Sequence, residues 1–297
     1  MIILKLRCGL GNQFFEYACA RALMYKTGEK HLYIDKMAYN NEPDNRKPTL
    51  LTYNLPDDTV ILDRKIDKIR FFKNEFITKV LHKLLKKDVA EKILKHFNIY
   101  EANFDYIDIE KGKKMYYLQG IFQNINYFKN ITDELKKIYL NFPLKDNVCR
   151  DKLIDKIKKE NAVCVHIRRG DYVNVEHWKK QLMVCDNRYY DDGMKYISSN
   201  VESPRFYIFS NSKEDIEWIK ENYIFTEKVN YIDMNNSDID DFAIMCSCKH
   251  FILSNSSFSW WAQFLGKKQD SIVVAPKYWD TDNHQYDGIY IDEWVVQ

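Results

Sequence analysis

The chain has no run of 18 apolar residues, and its opening MIILKLR meets a charge at Lys5 before a signal-peptide core could form. A spanning helix and an export signal are both excluded on this reading, and a cytoplasmic protein is expected. There is no C-x-x-C pair and no histidine at zinc spacing. The seven cysteines (Cys8, Cys19, Cys149, Cys164, Cys185, Cys246, Cys248) are an odd set that indicates neither a disulfide framework nor a zinc site. An excess of one charge is also missing, because 45 Lys/Arg stand against 43 Asp/Glu for a net +2, which argues against general nucleic-acid packaging. Repeats and low-complexity segments are absent too. The sequons at Asn130, Asn235 and Asn255 carry no meaning without export.

What is present is enough apolar material to fold. At 45% hydrophobic and 30% charged, the 297 residues can bury a core, and their length is about twice the soft prior for one domain. Six Trp, 21 Tyr and 17 Phe suit cores, interfaces and sugar stacking alike. The periodicity predicts a strand over 2–6, a glycine turn at 8–11, a helix over 12–25 and a strand over 31–35, which is a βαβ beginning. Residues 39–58 read as loop, 64–96 as basic amphipathic helix, and 116–118 as strand before helical turns through Tyr127 and Leu135.

After a lapse at Pro143, helices over 151–159, 189–199, 213–222, 239–246 and 256–265 alternate with strands over 162–167, 206–209, 229–232, 250–253 and 271–275. That alternation predicts a doubly wound parallel domain. The expected division is 1–145, with a helical insertion, and 146–297.

Three strand-to-turn junctions could carry chemistry. In Val163-Cys-Val-His-Ile-Arg-Arg-Gly-Asp-Tyr172 a strand runs into two arginines, and ligands of open α/β sheets sit beyond the carboxyl ends of strands. Alternation puts His166 and Arg168 on one face and Arg169 on the other. Arginine's planar fork makes Arg168 the natural diphosphate ligand, while Arg169 is expected to support the loop, for example by pairing with Asp171. A surface ion pair is the bland alternative. In Leu253-Ser-Asn-Ser-Ser-Phe-Ser-Trp-Trp-Ala262 a strand ends in small hydroxyl residues that open a helix, so Ser256 and Ser257 are candidate caps and phosphate donors, with Trp260 and Trp261 buried behind them. The third junction, Cys8-Gly-Leu-Gly-Asn-Gln-Phe-Phe15, offers Gly11, Asn12 and Gln13; without a third glycine it is a weak signal alone.

Other features have plainer explanations beside the sharp ones. Asp238-Ile-Asp240 and Asp280-Thr-Asp282 could hold a divalent metal, but the first suits a helix start and the second an Asp/Asn-rich loop. No metal is expected. Cys246 and Cys248 read as buried thiols and His250 as a satisfied strand histidine. The segment 64–95 carries 11 Lys/Arg against 4 Asp/Glu, a local +7, and reads as a solvated face or as a peripheral contact with the inner face of an anionic membrane.

Gly9-Leu-Gly-Asn-Gln-Phe-Phe-Glu-Tyr-Ala18, His166-Ile-Arg-Arg-Gly-Asp-Tyr172, Ser254-Asn-Ser-Ser-Phe-Ser-Trp-Trp-Ala262 and Ala275-Pro-Lys-Tyr-Trp279 resemble, in order and spacing, the bacterial α-1,2-fucosyltransferases of glycosyltransferase family 11. The resemblance implies an α/β fold of GT-B type, two Rossmann-like domains facing across a cleft, with the acceptor on the first and GDP-fucose on the second. It implies metal-independent, inverting transfer of fucose to the 2-hydroxyl of a terminal β-galactoside, with no nucleic-acid partner.

The related α-1,6- and protein O-fucosyltransferases share the His-x-Arg-Arg element, which gives the diphosphate to Arg168. They place the serine cluster, here Ser256 and Ser257, on the phosphates and Phe258 near the nucleoside. His166, Arg169, Asn211, Gly11, Asn12 and Gln13 complete the expected donor set. The family commonly has Phe-Ser-Asp-Asp where this chain has Phe209-Ser-Asn-Ser212; Asn211 keeps an acceptor and gains donors.

Such a transfer needs charge stabilisation of the departing diphosphate, assigned to Arg168 and the Ser256 helix end, and a base. Asp171 ranks first as base and Glu16 second, although a carboxylate beside arginines is a poor one. A GT-B transferase of another nucleotide sugar, or a non-catalytic binder of GDP-sugars, are the rival readings.

Overall fold

The computed structural model describes residues 1–37, 39, 46–62, 75–234 and 236–297. Residues 40–45 of the expected loop, 64–74 of the expected basic helix and the sequon at Asn235 lie outside the described residues. The chain divides into two compact units, Met1–Ile138 with Asp287–Ile289, and Tyr139–Tyr286 with Tyr290–Gln297.

The first unit opens with β1 (Ile2–Lys5), α1 (Leu10–Thr27), β2 (Leu32–Asp35) and β3 (Thr59–Leu62). It continues with α2 (Glu75–Leu84), α3 (Lys87–His96), β4 (Ile99–Tyr100), β5 (Tyr116–Leu118) and α4 (Thr132–Tyr139). Its strands form one parallel sheet in the order β3-β2-β1-β5-β4. β1 is central and buried along its whole length, as a strand covered on both faces must be. α1 ends at Gly28, whose φ of +74° lets its N–H reach the Met24 carbonyl. Arg21, almost wholly buried, is held by Glu134 at 2.7 Å and Asp58 at 2.5 Å, so the one buried cation of α1 is paired on both sides.

The second unit runs α5 (Val148–Ile157), β6 (Ala162–His166), α6 (Asp171–Asn174), α7 (Glu176–Leu182), α8 (Asn187–Asn200), β7 (Arg205–Phe209) and α9 (Lys213–Asn222). Then follow β8 (Val229–Tyr231), α10 (Asp238–Ser247), β9 (His250–Ile252), α11 (Ser257–Gly266), β10 (Val273–Ala275) and β11 (Val295–Val296). These strands are parallel in the order β11-β10-β9-β6-β7-β8. The chain therefore builds outward from β6 to β8, returns to the other side of β6, and builds outward again. The reversal lies between β6 and β9, the switch point at which open sheets of this kind bind ligands.

Period-two alternation decides what each strand face meets. Val163, Val165 and Ile167 pack with Phe206 and Ile208 against Tyr190, Met194 and Ile197 of α8 and Ile216 and Ile219 of α9. Cys164 and His166 point to the opposite face. Trp260 and Trp261 are fully buried as expected, and Tyr139 meets Trp261 edge-on at 5.2 Å between ring centroids. All seven cysteines are free thiols, Cys246 and Cys248 among the buried ones. No helix among the described residues is long and apolar enough to cross a membrane.

α11 lies so close to α10 that only glycine fits at Gly266, where a Cβ would run into the Cys246 carbonyl oxygen and stand 2.9 Å from the Cys246 Cα. Backbone cannot swing aside as a side chain can. Gly266→Ala is expected to destabilise the protein by about 1–3 kcal/mol, as overpacking does, read as a lowered urea midpoint; an unchanged midpoint would show that the two helices separate freely.

Candidate functional site

The site grows from the carboxyl ends of β6 and β9 in the second unit. His166, the last residue of β6, is buried, and its Nδ1 shares a 2.9 Å hydrogen bond with the hydroxyl of Ser254, just past β9. Burial, helped by the charge of Arg168, pushes the His166 pKa down to about 3, so the imidazole is neutral at physiological pH. The two strand ends at the reversal are thereby joined by a neutral polar link. Phe258 lies 6.0 Å from the His166 ring and 5.1 Å from Phe242, half-buried over the same junction.

Beyond His166 the two arginines part. Arg168 follows the His166 face: its Nη2 donates to Asp171 Oδ1 at 2.5 Å and its guanidinium stands 5.2 Å from the Tyr172 ring. Its Nε is buried with no hydrogen-bond partner among the described residues. Arg169 follows the Ile167 face to α9, with Nε donating to Asp215 Oδ1 at 3.1 Å and the guanidinium carbon 3.3 Å from the centre of the Trp218 ring. The expected pairing of Arg169 with Asp171 is therefore corrected: Asp215 of α9 takes Arg169, and the turn at Gly170 brings Asp171 back to Arg168. Gly170 turns the chain with φ +47° and ψ −119°, a conformation reserved for glycine.

The serine loop is fastened to this turn. Tyr172 donates from its hydroxyl to the Asn255 carbonyl at 2.9 Å, and the buried Asn255 amide donates to the Leu182 and Trp279 carbonyls. Ser256 is the N-cap of α11, its Oγ accepting from the Phe258 N–H at 3.3 Å, and half-buried Ser257 is the first helical residue. The positive end of α11 thus opens two residues past Ser254, which is bonded to His166. Asn211, on the far side of the turn, accepts the Arg169 N–H at 2.9 Å, while Ser212 caps α9 by accepting the Asp215 N–H at 3.2 Å. So His166, Arg168, Arg169, Asp171, Asn211, Ser256, Ser257 and Phe258 gather at one edge of one sheet.

The residues expected from the first unit are placed differently. Gly11 is buried in the first turn of α1 and Asn12 accepts from Gln123 at 2.6 Å. Gln13 is fully buried, donating to the Cys8 and Lys47 carbonyls and accepting the Leu50 N–H, so its amide secures the 47–50 loop instead of facing a ligand. Glu16 is also fully buried, and its Oε2 accepts the Arg7 N–H at 3.0 Å. This carboxylate braces the turn after β1 and has no exposed surface from which to meet an acceptor hydroxyl.

The acidic triplets have structural duties. Asp240 completes a capping box with Ser237 and pairs with Arg150 at 2.5 Å. Asp280 is buried and accepts from His284 and Tyr286. Asp280, Asp282 and His284 have ligand-type atoms within 4.8 Å of one another, the single such grouping among the described residues. Reasoning from sequence missed Asp215 and Trp218; the signal was their i+3 and i+6 spacing from the Ser212 cap, on the edge of α9 beside the buried Ile216 and Ile219.

Two units, each built on one parallel sheet flanked by helices, make up an α/β fold of GT-B type. The model for glycosyl transferase family 11 matches residues 1–297, and the chain belongs to that family. It is 31% identical to the alpha-1,2-colitosyltransferase of Escherichia coli over 94% of this chain and 92% of that protein. It is 28% identical to the O-antigen biosynthesis glycosyltransferase WbnK of Escherichia coli over 97% of each. The human galactoside alpha-(1,2)-fucosyltransferase 1 is 32% identical over 38% of this chain and 31% of its own length. The solved structure of fucosyltransferase NodZ from Bradyrhizobium shares the GT-B fold, with a TM-score of 0.51 at 14% identity over 89% of this chain and 92% of that one.

Because the folded pKa of His166 lies below the ordinary value of 6.5, the unfolded chain binds a proton that the folded chain does not between pH 6.5 and about 3. Stability present above pH 6.5 is therefore lost as pH falls through that window, by up to about 1.4 kcal/mol per unit. His166→Gln should flatten the slope between pH 6.5 and 5 in urea unfolding; equal slopes in variant and wild type would mean that the imidazole takes up its proton in the fold.

Proposed function

We propose that the chain transfers L-fucose from GDP-fucose to the 2-hydroxyl of a terminal β-galactoside, with inversion. The observation that carries this is the chain of contacts at the β6/β9 reversal, where Arg168 stands over the Tyr172 ring and Tyr172 bonds the Asn255 carbonyl just before the α11 cap, in a chain that belongs to family 11 throughout its length. The donor diphosphate gains charge as the sugar leaves. Arg168, with a buried N–H to spare, and the N–H groups at the start of α11 supply the opposite charge. His166, neutral and tied to Ser254, keeps the strand ends together without adding a competing charge.

Asp171 serves as base in this reading. Its carboxylate sits on Arg168, and a diphosphate that competes for the same guanidinium loosens the pair and turns Asp171 toward the acceptor proton. The identity to the colitosyltransferase favours a second reading of the donor, in which an activated colitose replaces GDP-fucose at the same diphosphate site. Mass spectrometry with linkage analysis, on products from both donors and a panel of galactose-terminated oligosaccharides, separates the two. GDP-fucose bound without turnover of any galactoside would count against a transferase altogether.

Arg168→Lys keeps the charge but loses the planar fork. It is expected to lower kcat/KM by on the order of 10² to 10⁴, and GDP should raise the melting temperature of the variant less than that of wild type. Near-normal turnover of Arg168→Lys would move the donor site elsewhere.

Full activity is also expected in EDTA, since the arginine and the helix end hold the phosphates while Asp240 and Asp280 have other partners. Turnover lost in chelator and restored by Mg²⁺ or Mn²⁺ would instead point to Asp280, Asp282 and His284.

A further inference from the structure

The segment between the two arginines and α9 is over-determined in a way that capping alone does not require. Ile167 continues the β6 face that packs on Ile216 and Ile219, so the next side chain on that face, Arg169, is delivered to the first turns of α9. There it finds Asp215 at 3.1 Å and the Trp218 ring at 3.3 Å, and the Arg169 and Asp215 side chains are only 11% and 15% exposed. Asp215 does a second job, since its Oδ2 accepts the Gly170 N–H at 3.3 Å and the Ser212 hydroxyl at 3.3 Å. Asn211 takes the Arg169 N–H, and its side-chain amide lies 3.0 Å from where a Cβ on Gly170 would be. Residues 169 and 170 are thus gripped through both side chain and backbone by residues 211, 215 and 218, with Ser212 bonded to Asp215.

Gripping one arginine aims the other. A guanidinium stacked on an indole and bonded to a carboxylate cannot also turn to the opposite face of the sheet, so Arg169 is withdrawn from any ligand at the strand reversal. The positive-φ turn at Gly170, held by Asp215 and Asn211, then sets the direction in which Arg168 leaves the strand.

We propose that Asp215 and Trp218 are positioning residues for donor binding, acting through Arg169 and Gly170 to hold Arg168 in register with the diphosphate. The proposal rests on the donor-site reading above. If Asp215 served only its helix, its loss would lower stability and leave nucleotide affinity alone.

The test uses the full chain, with GDP titrated by calorimetry and initial rates measured with GDP-fucose. Asp215→Asn is expected to raise the GDP Kd and the donor KM in parallel by roughly tenfold, with kcat changed less, as neighbouring residues in one network are typically coupled. Asp215→Glu should recover part of that loss. Trp218→Leu should weaken GDP in the same sense, and it serves in place of Asp215→Asn should that variant fold poorly.

In an Arg168→Lys background, adding Asp215→Asn should change the Kd by less than about twofold, because its route through Arg168 is already gone. Full multiplication of the two effects would overturn the positioning role. So would wild-type GDP affinity in both Asp215→Asn and Trp218→Leu while Arg168→Lys loses GDP; in that case the donor-site reading stands and only the positioning role falls. Wild-type affinity in Arg168→Lys itself would bring down the donor-site reading first.

Discussion

Two adjacent side chains on an extended strand must leave it on opposite faces, and the candidate site depends on that constraint. Arg168 and Arg169 are alike in charge and length, yet the face of Val163, Val165 and Ile167 carries Arg169 to α9 while Arg168 meets Asp171 and the Tyr172 ring. The division of labour between the arginines follows from one residue of register. A single-residue slip of β6 would exchange them and, with them, every core contact of the strand.

The electrostatic design is local. A net charge of +2 over 297 residues gives the protein no general attraction for anions. At the reversal, however, α11 opens just beyond β9, Arg168 is linked to the same loop through Tyr172, and His166 is kept neutral by burial. Among the described residues Arg168 is paired with Asp171. Of the acids in the two triplets, Asp240 serves a capping box and an ion pair to Arg150, and Asp280 holds the turn that follows it.

Much of this was legible in the sequence. Long apolar strands bounded by turns, such as 162–166 and 205–209, and helices with a clear stripe, such as 213–222, stand where their periodicity puts them. What escaped had weak local signals for physical reasons. β3 is an edge strand with Val60 and Ile61 substantially exposed, so its residues do not alternate cleanly. β4 and β11 are two residues each and exist only through their neighbours. α7 buries none of its residues, so it lacks an apolar period.

At the site, residue type pointed correctly to the strand end but could not assign partners. Glu16 and Gln13 look like chemistry in a string of letters and prove to be braces beneath a turn, because a glycine turn after a buried strand leaves backbone groups that something must satisfy. Asp215 and Trp218 looked like ordinary helix surface. Their meaning depends on which face of β6 the helix covers, and that is a tertiary fact.

The most direct measurement is a crystal structure of the protein with GDP bound. The diphosphate is expected against Arg168 and the first turn of α11, on the His166 face of β6, with Arg169 still stacked on Trp218 and bonded to Asp215. Phosphates held by Arg169, or lodged at the Gly9–Gln13 turn of the first unit, would contradict the account.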